Sequence, residues 1–153
     1  MKYFLDTEFI EYPNTIHLIS IGIVAEDGLE FYAENKDIDW DLASDWVKKN
    51  VRPNLKGGNS ILSLENIKIK ILEFIGNDTP EFWGYYCSFD WVIFCWIFGP
   101  MINLPNGWSK FCNDLQQLCL NKGNPCLPKQ ISNRHNSLDD ARWNFDIYKF
   151  LIL

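Results

Sequence analysis

The chain has 153 residues, 47% of them hydrophobic, which is enough for one domain with a real core and excludes a disordered protein. Its 14 basic and 20 acidic residues leave a net charge of −6. That argues against broad binding along duplex nucleic acid, while leaving room for a site that grips one strand end.

Residues 3–9 read as a strand. Residues 16–25 read as a second, rich in Ile and Val as a strand buried on both faces is. Glu26-Asp27-Gly28 signals a hairpin turn, and residues 29–33 return as a third strand. Residues 41–50 predict a helix that Pro53 ends. After a loop at 56–59, Ser63 caps a helix over 64–75, apolar at Ile67, Ile71, Leu72 and Ile75. Residues 81–86 read as a strand and 88–98 as a helix. A short strand at 110–113 and a helix at 115–121 follow, then a loop over 123–134. A last helix spans 137–151. Three strands in a meander, followed by alternating helices and strands, predict a mixed sheet with helices packed on it, in a single α/β or α+β domain over 1–153.

Asp6 and Glu8 interrupt the N-terminus at once, so no signal peptide is expected. The longest apolar run, 91–102, contains Gly99 and Pro100 and is too short to span a bilayer. A cytoplasmic protein with no membrane partner is expected. Cys87, Cys95, Cys112, Cys119 and Cys126 form no CxxC and complete no zinc pattern, so they read as reduced thiols.

Three segments carry chemistry. In Tyr3-Phe4-Leu5-Asp6-Thr7-Glu8-Phe9, strand alternation puts Phe4, Asp6 and Glu8 on one face. A solvated edge strand would account for the acids, but a strand this apolar on both faces suits the sheet interior. There, paired carboxylates are costly unless a cation compensates them, and hard oxygen ligands favour Mg²⁺ or Mn²⁺. Asp90 lies just after Ser88, read as a helix cap, so it falls in a first helical turn. It suits the helix dipole there, and a strand-to-helix junction is also where α/β sheets place ligands. His135-Asn136-Ser137-Leu138-Asp139-Asp140 opens the last helix. Ser137 with Asp140 makes a capping box; Asn136 with Asp139 would cap equally well and leave Asp140 free to share a site with His135. His17, in an apolar strand, reads as structural.

In that order, Asp-x-Glu on a first strand, a lone mid-chain Asp and His-x4-Asp at the last helix resemble the three motifs of the DEDDh 3′–5′ exonucleases. Leu5-Asp6-Thr7-Glu8-Phe9-Ile10, the strand and turn over 18–28, Phe89-Asp90-Trp91 and the 135–142 segment look most like the small single-domain exoribonucleases first described from mycobacteria. The resemblance implies a ribonuclease-H-like fold, a five-stranded mixed β-sheet flanked by α-helices. It implies hydrolysis of the terminal phosphodiester at an RNA 3′ end, releasing nucleoside monophosphates, with two Mg²⁺ (or Mn²⁺) ions about 4 Å apart. The resemblance further implies that Asp6 bridges both ions, Glu8 and Asp140 complete the coordination of the first ion, Asp90 supports the second ion, and His135 takes the proton of the attacking water. Thr7, Phe9 and Trp91 are the candidate substrate contacts, with Phe9 or Trp91 stacking on the terminal base, although core packing accounts for either ring singly. Dimeric relatives make a homodimer an expectation too. The competing readings are a DNA exonuclease, a catalytically silent binding domain of the same fold, and a phosphatase of small esters. Nothing in the motifs reads the sugar.

Overall fold

Two long strands open the chain, β1 (Lys2–Tyr12) and β2 (Thr15–Ala25), paired antiparallel. β3 (Glu30–Asn35) adds antiparallel to β2 after the predicted turn. β4 (Ile61–Leu62) then pairs parallel to β3, β5 (Glu81–Gly84) parallel to β1, and β6 (Asn113–Asp114) parallel to β5. The strand order is β4-β3-β2-β1-β5-β6, so β1 lies inside the sheet, as its apolar faces require. This computed structural model describes all residues 1–153.

The sheet has six strands rather than the expected five. β4 and β6 are edge strands of two residues each, too short for alternation to reveal them, and the strand expected at 110–113 forms at Asn113–Asp114 instead. Five α-helices cover the sheet: α1 (Asp45–Asn50), α2 (Leu64–Ile75), α3 (Ser88–Ile97), α4 (Leu115–Asn121) and α5 (Ser137–Ile152). α1 is shorter than expected because the Ser44 hydroxyl accepts the Val47 N–H at 3.2 Å and starts the helix there. Ser88 is not the cap of α3: Cys87 holds that position without a side-chain bond, and Ser88 is the first helical residue.

Alternation along β1 sorts its side chains onto two layers. Tyr3 and Leu5 enter the larger core, with Ile67 and Ile71 of α2 and Phe94 of α3. Phe4 faces the other way and meets Phe145 and Tyr148 of α5 at 4.9 and 5.1 Å between ring centroids. Asp6 and Glu8 are on that second side, beneath the start of α5.

Two features fix α5 against the sheet. Gly22 of β2 lies so close to it that a Cβ there would stand 2.3 Å from the Ser137 carbonyl oxygen and 2.4 Å from Leu138 Cα. Ser20 and Ser137 join their buried hydroxyls at 2.9 Å. A bulge between Glu8 and Phe9 on β1 skips Ile19 of β2. Ser20 therefore reaches α5 while Ile19 packs with Ile10, Ala43 and Val51.

Candidate active site

β1 supplies Asp6 and Glu8, and the first turn of α5 supplies Asp140. One carboxylate oxygen from each of these three residues lies within 4.8 Å of the others. All three side chains are partly buried. The cap of α5 resolves the two readings of the sequence. Asn136 Oδ1 accepts the N–H groups of Leu138 and Asp139 at 3.2 and 3.3 Å, which leaves Asp140 free of capping.

Asp140 is held from its own loop instead. Its Oδ2 accepts the backbone N–H of His135 at 2.9 Å, and its Oδ1 accepts a short hydrogen bond from Gln130 Nε2. His135 has φ 66°, the left-handed region that disfavours a side chain with a Cβ. Its ring meets Trp46 edge-on at 4.9 Å between centroids. Asp6, His135 and Asp140 border one small chamber of about 170 Å³, with Arg134 and Asn144. Asn144 Nδ2 donates to the Leu5 carbonyl at 2.9 Å, binding α5 to β1 next to Asp6.

Asp90 in the first turn of α3 is buried, and reaches the site through Thr7. Its Oδ1 accepts both the N–H and the hydroxyl of Thr7, between Asp6 and Glu8.

The acids crowd one another in a low-dielectric place. Burial, then the charges of Asp90, Asp140 and Glu8, pushes the Asp6 carboxyl well above the usual carboxylate range. Burial and the Asp140 charge push Glu8 up to about 8. Burial raises Asp140, against the hydrogen bonds from Gln130 and His135. Asp90 is pushed up to about 6 by burial, with the Thr7 bonds holding it down. Asp90 and Asp140 accept hydrogen bonds from their neighbours, whereas the Asp6 and Glu8 carboxylates accept none. None of the four acids takes part in an ion pair, and their all-oxygen donor set is the kind that hard divalent cations take. The residues fit a metal centre on that ground.

The expected substrate contacts divide. Phe9 borders a cavity with Glu8 and Trp46. Thr7 is buried, and its hydroxyl is spent on Asp90. Trp91 stacks on Phe94 at 5.3 Å, donates from Nε1 to the Lys110 carbonyl, and borders a different cavity with Tyr86 and Phe111. His17, expected to be structural, is exposed near the start of β2. Gln130 and Trp46 escaped the sequence reading. One lies in a stretch without periodicity and the other looks like an ordinary apolar anchor.

A family model described as the 3′–5′ exoribonuclease Rv2179c-like domain matches residues 1–152. Two curated relatives from Mycobacterium tuberculosis are similar to the chain. They are the 3′–5′ exoribonuclease Rv2179c of strain H37Rv and the 3′–5′ exoribonuclease MT2234.1 of strain CDC 1551. Each is 42% identical over 147 residues, covering 93% of this chain and 88% of the relative. With the carboxylate cluster in place and the match running over nearly its whole length, the chain belongs to the Rv2179c-like 3′–5′ exoribonuclease family.

Proposed function

We propose that residues 1–153 form one exonuclease domain with a ribonuclease-H-like fold, which removes nucleoside monophosphates from the 3′ end of RNA. The observation that carries this is the approach of Asp6, Glu8 and Asp140 oxygens to within 4.8 Å in a place where burial makes three charges costly. Both relatives are named as exoribonucleases, which supports RNA as the polymer.

Asp6, Glu8 and Asp140 would hold a divalent ion, Mg²⁺ or Mn²⁺, and Asp90 would support a second. When bound, such ions neutralise the phosphate, make water more acidic and stabilise the departing 3′ oxygen. The remaining work falls to the protein. His135 faces the chamber of Asp6 and Asp140, where an imidazole nitrogen accepts a proton from the attacking water. The backbone N–H of the same residue orients Asp140, so base and ligand are set by one backbone conformation. Thr7 fixes Asp90 through its N–H and hydroxyl. Phe9, beside Glu8, is an aromatic available to a terminal base, in a cavity that Tyr12 and Trp46 also line. No helix is long and apolar enough to cross a membrane, in keeping with a cytoplasmic enzyme.

The test uses end-labelled RNA and DNA of equal sequence, single-stranded or with a 3′ overhang, with Mg²⁺ or Mn²⁺. The expected result is stepwise shortening of RNA from an open 3′ hydroxyl, with none from a blocked 3′ end and none by the folded Asp6→Ala variant. Cutting of the blocked strand would point to an endonuclease, and full activity of Asp6→Ala would remove the metal-site assignment.

A further inference from the structure

Two cavities flank the carboxylate cluster, and they differ in charge. One, of about 890 Å³, opens beside Glu8 and runs past Phe9, Tyr12 and Trp46. Its acidic lining residues are Glu8, Glu11 and Asp41, and no cation joins them. The other, of about 450 Å³, is bordered by Tyr85, Lys129, Gln130, Arg134 and Trp143 among others. It shares Tyr85, Gln130, Arg134 and Trp143 with the chamber of Asp6, His135 and Asp140, so the two are continuous. Its charged residues are Lys129 and Arg134, and neither takes part in an ion pair.

The floor of this second cavity is fixed. The Tyr85 hydroxyl donates to Gln116 Oε1 at 2.8 Å, and Trp143 Nε1 donates to the Pro128 carbonyl at 2.9 Å. The two rings meet edge-on at 5.2 Å. A rigid aromatic floor under a cationic rim suits a base or ribose together with its phosphate.

The charge difference orients a strand. At a 3′ end, the nucleoside beyond the scissile phosphate carries no further phosphate, so an acidic lining costs it little. On the 5′ side each nucleotide adds a negative charge, which carboxylates repel and unpaired cations attract.

We propose that the groove of Tyr85, Lys129, Gln130, Arg134 and Trp143 holds the nucleotide on the 5′ side of the scissile bond, with Lys129 and Arg134 at its phosphate. The proposal rests on the reading of the site as a 3′–5′ exoribonuclease. The otherwise featureless 123–134 segment then becomes the wall that receives the incoming strand.

The test compares two substrates. One is a short single-stranded RNA. The other is the p-nitrophenyl ester of uridine 5′-monophosphate, in which water displaces p-nitrophenolate from the same phosphorus and no strand lies on the 5′ side. Lys129 is exposed, so Lys129→Glu is expected to fold. The variant is expected to lose about tenfold in kcat/KM on RNA at low salt, mainly through KM. The slope of log KM against log salt should shrink by about 0.7. On the ester the loss stays within about twofold. An uncharged methylphosphonate at the next linkage on the 5′ side should cost the wild type about as much as the substitution does, and cost the variant no more. Equal losses on RNA and ester, or no loss on RNA, overturn the groove. A wild type that leaves both substrates intact overturns the exoribonuclease reading itself, which is a different failure.

Discussion

Thr7 donates twice to a single oxygen of Asp90: its N–H at 2.8 Å and its hydroxyl at 2.6 Å both end on Oδ1. The pair joins the middle of β1 to the first turn of α3 across 83 residues of sequence. It makes Thr7 a positioning residue. Thr7→Val keeps the shape, retains the N–H bond and removes the hydroxyl. It should cost about 1–2 kcal/mol in urea unfolding. RNA turnover should fall about tenfold with KM unchanged, as for a lost interaction that acts on the transition state. Thr7→Ser should restore most of it. A change confined to KM would instead make Thr7 a substrate contact.

The metal-free protein should weaken as pH rises. Glu8 has an ordinary value of 4.5 and is pushed up to about 8 in the fold. Between those values the folded state keeps a proton that the unfolded state has released, so stability falls with pH across that window. Asp6 and Asp90 act in the same direction. In EDTA, the melting temperature should be lower at pH 8 than at pH 5. Glu8→Gln should flatten the profile and raise the melting temperature at pH 8. Added Mg²⁺ should stabilise the wild type at pH 8 more than it stabilises Glu8→Gln.

Gly22→Ala tests the seating of α5. The added methyl collides with backbone at Ser137 and Leu138, which no rotamer change relieves. The expected cost is about 1–3 kcal/mol. The displaced helix start carries Asp140 with it, so Mg²⁺ dependence should shift to higher concentration. Unchanged stability and metal dependence would mean that α5 moves away without consequence.

His135 can be separated into ring and backbone. His135→Ala and His135→Gly should lose turnover alike while keeping metal-induced stabilisation. Glycine relieves the left-handed φ of 66°, so His135→Gly should be about 1 kcal/mol more stable than His135→Ala. If either variant abolished stabilisation by Mg²⁺, His135 would be a ligand rather than a base.

How far the sequence anticipated this arrangement depends on the range of the forces involved. Alternation along β1 put Asp6 and Glu8 together, and the structure keeps them so, because strand periodicity is local. The choice between two caps for α5 was open in sequence and closed by packing: Ser137 is drawn to Ser20 of β2, which leaves Asn136 to cap and Asp140 to face Asp6. Trp91 illustrates the opposite case. Trp91 follows Asp90 in sequence, but successive residues of a helix project about 100° apart, and its ring stacks on Phe94 while Nε1 donates to the Lys110 carbonyl. The edge strands β4 and β6 depend on their neighbours alone and left no local mark.

The centre joins two kinds of chain. Asp6 and Glu8 are carried by an interior strand of the sheet, the kind of element whose amides are expected to open only with the whole fold. Gln130, Arg134 and His135 belong to a stretch with no helix or strand between Asn121 and Ser137. In deuterated water the first half of the site should therefore stay protected long after the second has exchanged. On the proposed reading, the scissile phosphate would meet acids carried by the sheet, while each new strand end would meet side chains carried by irregular chain.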